Sequence, residues 1–190
     1  MIRTGDVIYN SITGESIRFV ETAADTDGER VVIDVLVEPS GFVASAHQHP
    51  YQTEIFEVVE GELMFKVGGE TITATAGTSV TVEPGTAHRF WNESESAVRF
   101  RCEVTPALQF ETLLETMFGL ANDGKTNKKG LPNPFRLAVI ANHHFDDVRL
   151  PFPPAWMQKL GLVAGAPVGR LLGYRPDYVP AETADVSLAI

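Results

Sequence analysis

The feature that most constrains the fold is a series of short apolar runs between residues 31 and 104, separated by Gly, Pro and Asn. The runs are rich in β-branched and aromatic residues, which fit the pleated surface of a sheet. Gly68 and Gly69 separate ELMFKV from ETITATA and predict a tight hairpin, because glycine adopts positive φ without strain. Consecutive strands without helical crossovers favour a sandwich or small barrel over a parallel α/β sheet. We therefore expect an all-β core.

The pattern changes after Pro106. The stretch LQFETLLETMFGLANDG repeats apolar residues at helical spacing and ends in Gly, which predicts an amphipathic helix. Two later apolar stretches, 135–142 and 156–172, predict short helices, and we expect Pro167 to limit the second. The predicted division is a β-barrel domain, residues 1–106, and a helical extension, residues 107–190, that packs on the barrel or at a dimer contact.

Composition and charge exclude several partners. The formal net charge is -10, which is the wrong sign for binding nucleic acid phosphates. No apolar stretch approaches the roughly 20 residues needed to cross a bilayer. The chain begins without the charged-then-apolar pattern of a secretory signal, and the lone Cys102 allows no intrachain disulfide. We expect a cytoplasmic protein that binds neither nucleic acid nor a membrane.

Three of the five histidines, His47, His49 and His88, fall inside the β region. On an extended strand His47 and His49 leave the same face roughly 7 Å apart, so both imidazoles can reach one ion. A third imidazole and a carboxylate would leave one or two positions of an octahedral ion open. Glu54 and Glu57 face opposite sides of one strand, and alternation does not choose between them. If Glu54 faces inward, the phase slips between His49 and Glu54, which requires a turn or bulge at His49 and Pro50.

Five positions with a characteristic spacing run through this region: Gly41, His47, His49, Glu54 and Gly61. This spacing resembles the first signature motif of the cupin superfamily, and every fixed residue of that motif is present. The resemblance implies a jelly-roll β-barrel whose lumen holds one divalent metal ion. It also favours Glu54 over Glu57 as the carboxylate ligand.

A second group of positions is similar to the second cupin motif: Gly77, Glu83, Pro84, Gly85, His88 and Asn92. Glu83 stands where that motif has a Pro, and we expect the adjacent Pro84 to preserve the turn. Together the motifs imply that His47, His49, Glu54 and His88 bind the metal. The resemblance covers residues 41–104 and implies nothing about the helices after them.

Residues beside the predicted ligands are candidates for the substrate pocket. Phe56 faces inward if Glu54 does, because the two residues are two positions apart on one strand. Phe90 shares a face with His88 and Asn92 of the second motif. A plain core role for Phe90 is the alternative. Glu54 is also the candidate catalytic residue, because a carboxylate beside a metal can accept a proton.

These residues predict a metal-dependent enzyme that acts on a small organic molecule, with a dioxygenase-type oxidoreductase ranked first. The ligand set accepts Fe, Mn, Ni, Co or Zn, so the metal stays open. A metal-dependent isomerase, cyclase or lyase uses the same ligands, and a non-catalytic small-molecule-binding cupin or a metal-free isomerase are further alternatives. Exposed edge strands or apolar helices also predict a homodimer.

Overall fold

A computed structural model describes residues 2–180 of the chain. Within these residues nine strands precede three helices: β1 (Val7–Asn10), β2 (Glu15–Glu21), β3 (Val31–Val37), β4 (Thr53–Glu60), β5 (Glu62–Val67), β6 (Glu70–Thr75), β7 (Ser79–Val82), β8 (His88–Trp91), β9 (Val98–Thr105), α1 (Phe110–Asn122), α2 (Pro134–His143) and α3 (Ala155–Leu171). The predicted all-β core followed by a helical extension is confirmed.

The strands form two antiparallel sheets with one common core. The larger sheet has the order β1-β2-β3-β9-β4-β7, and the smaller has the order β6-β5-β8. Phe56 of the larger sheet and Phe65 of the smaller lie with ring centroids 5.2 Å apart, and both side chains are buried. Such a pair contributes beyond its buried area, because tilted and edge-to-face aromatic contacts are favourable. The core therefore lies between the inner faces of the two sheets.

The predicted hairpin lies where the sequence placed it. Gly68 and Gly69 connect β5 to β6 with φ of 57° and 99°, a region that residues with a Cβ avoid. Gly61 connects β4 to β5 at φ 86°. There an added Cβ would also lie 3.0 Å from the side chain of Val98, so both backbone and space favour glycine.

The helical extension packs on the barrel through α1. Phe110 and Phe118 of α1 belong to the same buried cluster as the strands. Helix α2 begins after Asn133, whose side chain accepts a hydrogen bond from the Arg136 amide at 3.0 Å, with Pro134 in the first turn. The boundary between residues 106 and 107 stays a prediction, and residues 181–190 of the predicted extension lie outside the described residues.

The expectation that Pro167 limits the last helix is wrong, because α3 continues through it to Leu171. Proline removes one intrahelical hydrogen bond, the bond to the carbonyl four residues earlier. That carbonyl belongs to Val163, an exposed residue, so water can replace the lost donor. Close packing also holds the end of α3 in place, since an added Cβ at Gly169 would collide with the carbonyl oxygen of Phe135 in α2.

The barrel and the helices together line a cavity of about 700 Å³. Its barrel wall includes Ile33, Phe56 and Phe100, and its opposite wall includes Met117 of α1 and Leu162 of α3. The cavity is therefore mostly apolar and is covered by the extension. None of the helices within residues 2–180 has the length and apolar character required to span a membrane.

Candidate metal centre

The four predicted ligands come together on the cavity wall. His47, His49, Glu54 and His88 each offer one ligand atom, and these atoms all lie within 4.8 Å of one another. The backbones of His47 and His88 pair as an antiparallel bridge, with N–O distances of 3.0 and 2.8 Å. The ring centroids of His47 lie 4.3 Å from His88 and 5.0 Å from His49. Residues from two motifs thus share one small volume.

The turn predicted after His49 lies at Pro50 and Tyr51, where the chain bends before β4 begins. This bend changes the phase of the alternation, so Glu54 faces the cavity with the other buried residues of β4. Glu54 is 4% exposed, whereas Glu57 lies on the exposed outer face. The preference for Glu54 over Glu57, which came from the motif, agrees with this geometry.

Backbone carbonyls orient the first and third histidine rings. The Nδ1 atom of His47 donates to the carbonyl of Ser45 at 2.8 Å, and that of His88 donates to the carbonyl of Thr86 at 3.1 Å. A carbonyl oxygen only accepts, so Nδ1 carries the proton in both rings. In the neutral rings the lone pair is then on Nε2, which is the arrangement that metal-binding histidines adopt.

His49 is held by residues that the sequence analysis did not single out. Its Nδ1 atom contacts the carbonyl of Asp147 and, at 3.0 Å, the side-chain oxygen of Gln52. Gln52 is 1% exposed and donates to the carbonyls of Pro106 and Ala107 at 3.0 and 3.1 Å. The only sign of this role in the sequence is that Gln52, a polar residue, lies between the predicted ligands His49 and Glu54. Gln52 therefore connects the metal centre to the start of the helical extension.

The extension contributes directly to the centre through an antiparallel bridge. The backbones of Gln48 and Arg149 exchange two hydrogen bonds of 2.9 Å, and this pairing places the Asp147 carbonyl beside the His49 ring. The Asp147 carboxylate accepts from Nδ1 of His144 at 2.9 Å. Burial acts to raise the pKa of Asp147, but the hydrogen bonds from His144 and the Gln109 amide, together with attraction to His144 and His49, outweigh it and the pKa is lowered. An ionised Asp147 thus anchors the bridge.

The atoms that face the centre lack aligned hydrogen bonds. Nε2 of His88 lies 2.8 Å from Oε2 of Glu54, and Nε2 of His49 lies 3.6 Å from the same oxygen. All three atoms are nevertheless buried without a hydrogen bond of good geometry. Buried polar atoms left in this state are costly, and a shared metal ion would satisfy all of them.

The electrostatics of the cluster shift the pKa values of three of its four residues. Burial acts to raise the pKa of Glu54, but attraction to His49 and the contact with His88 outweigh it and lower this pKa to about 2. Burial, together with repulsion from His88 and His49, lowers the pKa of His47 to about 3. Burial acts against protonation of His88 as well, yet contact with Glu54 raises its pKa. At neutral pH Glu54 is therefore ionised and His47 is neutral.

Three imidazoles and one carboxylate fit a divalent first-row metal ion in chemistry and number. The cluster can therefore hold a metal, and the ligand types do not distinguish Fe, Mn, Ni, Co and Zn.

The two predicted pocket residues lie beside this centre. Phe56 and Phe90 are 3% and 7% exposed, and both line the cavity. The ring centroid of Phe56 lies 6.2 Å from that of His88. Asn92 does not reach the cavity, because it is buried and donates to backbone carbonyls, including those of Val37 and Ser96. Asn92 therefore fixes a loop, while the two phenylalanines border the space next to the ligands.

Cys102 also lines the cavity and is 1% exposed. Burial raises the pKa of its thiol well above the ordinary value, so the thiol is protonated at neutral pH. Cys102 is therefore a small buried residue of the cavity wall.

An antiparallel barrel that carries three histidines and a glutamate on its inner wall defines a cupin-type metal-binding protein. Residues 33–104 match the family model described as the cupin domain. Residues 33–104 of this chain therefore form a cupin domain, as the two motifs implied.

A curated relative gives a more distant comparison. A protein named as an oxidoreductase, from Arthrobotrys oligospora, is 28% identical over an alignment of 164 residues that covers 78% of this chain. The chain spans 63% of the length of this relative. The similarity therefore extends beyond the cupin domain, although more than a third of the relative has no counterpart in the match.

Solved structures include other cupin barrels of low identity. A sugar phosphate isomerase of the cupin superfamily from Silicibacter pomeroyi is 20% identical with a TM-score of 0.47, covering 53% of this chain and 70% of its own. A protein described as a predicted oxalate decarboxylase, from Thermotoga maritima, is 18% identical with a TM-score of 0.48, covering 56% of this chain and 98% of its own. Each match leaves more than two fifths of this chain unpaired.

Proposed function

We propose that this protein is a metal-dependent oxidoreductase of the dioxygenase type that acts on a small, largely apolar organic molecule. The observation that carries the proposal is the position of the ligand cluster on the wall of a cavity of about 700 Å³. This volume is in the range of cavities that enclose small-molecule ligands. Four protein ligands leave one or two positions of an octahedral ion for the substrate and oxygen.

The side chains of the cavity have separable tasks in this proposal. A bound redox metal supplies Lewis acidity and the capacity to activate O2. His47, His49 and His88 hold the ion through Nε2, since their Nδ1 atoms are engaged by backbone carbonyls. Phe56 and Phe90 contact the apolar body of the substrate. The helices of the extension exclude water from the reaction, which strengthens electrostatic interactions in the site.

Glu54 is proposed to act first as a ligand. A carboxyl group with a pKa of about 2 stays ionised throughout the physiological range, which suits metal binding. The same low pKa makes it a weak base, so proton transfer to Glu54 requires that its contacts with His49 and His88 change when the metal binds. Its catalytic role is therefore subordinate to its role as a ligand.

The name of the Arthrobotrys oligospora relative supports redox chemistry over a non-redox reaction in the same site. The match covers 63% of the length of that relative, so the activity of this chain has to be tested directly.

The test measures metal content by elemental mass spectrometry in protein purified without chelators. We expect about one ion per chain in the wild type and a loss of metal in Glu54→Gln, which keeps the shape of the side chain but removes its charge. Glu57→Gln is the matched control, because Glu57 lies on the outer face of the same strand. Equal metal content in all three proteins would show that the cluster is not the metal site.

Activity is then measured as O2 consumption with catechols and dicarbonyl compounds, after reconstitution with Fe, Mn, Co or Ni in turn. We expect turnover with at least one redox metal and none in Glu54→Gln. A protein that binds metal fully but consumes no O2 under any of these conditions contradicts the oxygenase proposal.

A further inference from the structure

Glu15 is a carboxyl group on the inner face of the barrel, outside both motifs and outside the metal cluster. It opens β2 and alternates in phase with Ile17 and Phe19, which are core residues. Glu15 is 5% exposed and lines the same cavity as the metal ligands. A carboxyl group among aliphatic side chains is not explained by packing, because burying it is unfavourable.

No cation within residues 2–180 pairs with Glu15. Arg149 is the one arginine or lysine of the described chain that lines the cavity, and its guanidinium donates to the carbonyl of Phe145 and pairs with Asp146 at 3.0 Å. Burial raises the pKa of Glu15 to about 7, while the Thr13 hydroxyl acts in the opposite direction. The barrel thus maintains an ionisable group at the cavity wall without supplying its counter-charge.

The backbone connects Glu15 to the first metal ligand over a short path. Glu15 pairs with Asn10 at the β1–β2 turn, and the Thr13 carbonyl in that turn accepts a hydrogen bond from the Phe42 amide at 3.0 Å. The chain then runs five residues from Phe42 to His47, which separates their backbones by at most about 17 Å. Glu15 and the four metal ligands line one cavity, so a molecule that fills this cavity can contact both the carboxyl group and the metal cluster.

We propose that Glu15 binds a positively charged amine of the substrate while the other end of that molecule reaches the metal centre. This proposal rests on the proposed function, because it takes the cavity as the substrate site. The substrate class is then an amine with an apolar body and an oxygen group that binds metal. A charge-assisted hydrogen bond to a buried carboxylate is stronger than one in water, so Glu15 selects this class over neutral analogues.

The test compares the binding of n-alkylamines with that of n-alkanols of equal chain length, by displacement of a fluorescent apolar dye from the cavity. Glu15→Gln removes the charge and keeps the shape, and Glu62→Gln removes a charge from an exposed position of β5. We expect Glu15→Gln to weaken binding of the best amine by about tenfold or more, since a hydrogen bond to a charged group is stronger than one between neutral groups. Alkanol binding and both affinities of Glu62→Gln stay at wild-type values.

Two results overturn the proposal. One is equal amine affinity in the wild type and Glu15→Gln at every chain length. The other is an equal loss for amine and alkanol, which would show a general change of the cavity. If Glu15→Gln does not fold, Glu15→Asp replaces it, because a carboxylate set back by one methylene shifts the optimum to a longer amine. An unchanged optimum then overturns the proposal.

The titrations are run on metal-free and metal-loaded protein, with metal content measured on the same samples. Loss of metal binding with the amine preference intact contradicts the proposed function and leaves the role of Glu15 standing. Metal binding without the preference contradicts the role of Glu15 and leaves the metal centre standing.

Discussion

The buried carboxyl group of Glu15 makes the stability of the protein depend on pH in a way that one substitution removes. The folded chain raises the pKa of Glu15 from the ordinary value of 4.5 to about 7, chiefly through burial. That difference corresponds to about 3 kcal/mol, at about 1.4 kcal/mol for each pH unit. The folded state therefore binds the Glu15 proton more tightly than the unfolded state does.

The sign of the effect follows from this tighter binding. Below the pKa of 4.5 that Glu15 has in the unfolded state, the group is neutral in both states, so its ionisation does not reduce the free energy of unfolding. As the pH rises from there to the folded pKa of about 7, the unfolded state loses its proton first and stability falls. Above about 7 the full cost of about 3 kcal/mol is present. Glutamine does not ionise, so Glu15→Gln lacks this component.

The assay is urea unfolding of the wild type and Glu15→Gln at two pH values, near 5 and near 8. From the lower pH to the higher, we expect the free energy of unfolding of Glu15→Gln to increase by about 3 kcal/mol relative to that of the wild type. The cost of burying the amide is the same at both pH values and cancels from the comparison. Glu62→Gln, at an exposed position, should follow the wild type. If all three proteins change in parallel with pH, Glu15 is not desolvated and the reasoning fails.

Two further predictions concern the metal centre and the oligomeric state. Gln52→Leu removes a contact of the His49 ring, and we expect metal affinity, measured by competition with a chelator, to fall by about 10- to 100-fold; unchanged affinity would show that Gln52 serves the barrel alone. Leu160 is 67% exposed on α3, and we expect Leu160→Lys to convert a dimer into a monomer near 20.7 kDa by light scattering, with Lys159→Ala as the control. A monomeric wild type would contradict the dimer prediction.

The strands and hairpins could be predicted because their signals are local. Gly68 and Gly69 lie at a turn that requires positive φ at both positions, and the flanking runs have the composition of strands. The continuation of α3 past Pro167 could not be predicted in this way. Pro167 is a local signal for termination, but the packing of Gly169 against α2 is a tertiary contact that outweighs it.

The choice between Glu54 and Glu57 shows what alternation can and cannot provide. Period-2 alternation separates the two residues onto opposite faces but does not say which face is inside. That answer depends on the bend at Pro50 and Tyr51, which sets the phase of β4 relative to His49. The motif spacing contains this information, because the same spacing implies the same bend.

The groups that contact the His49 ring could not be predicted from the sequence, and the reason is physical. The carbonyl of Asp147 contacts a ring 98 positions earlier in the chain, and a backbone carbonyl carries no signature of residue type. The role of Glu15 could not be predicted either, because the sequence does not show which side chains surround it in the fold or that none of them is a cation. Both groups lie outside the two motifs, one before them and one after. The motif therefore determines which atoms can bind a metal, whereas the segments around it supply the groups that contact the His49 ring and a further carboxyl group on the cavity wall.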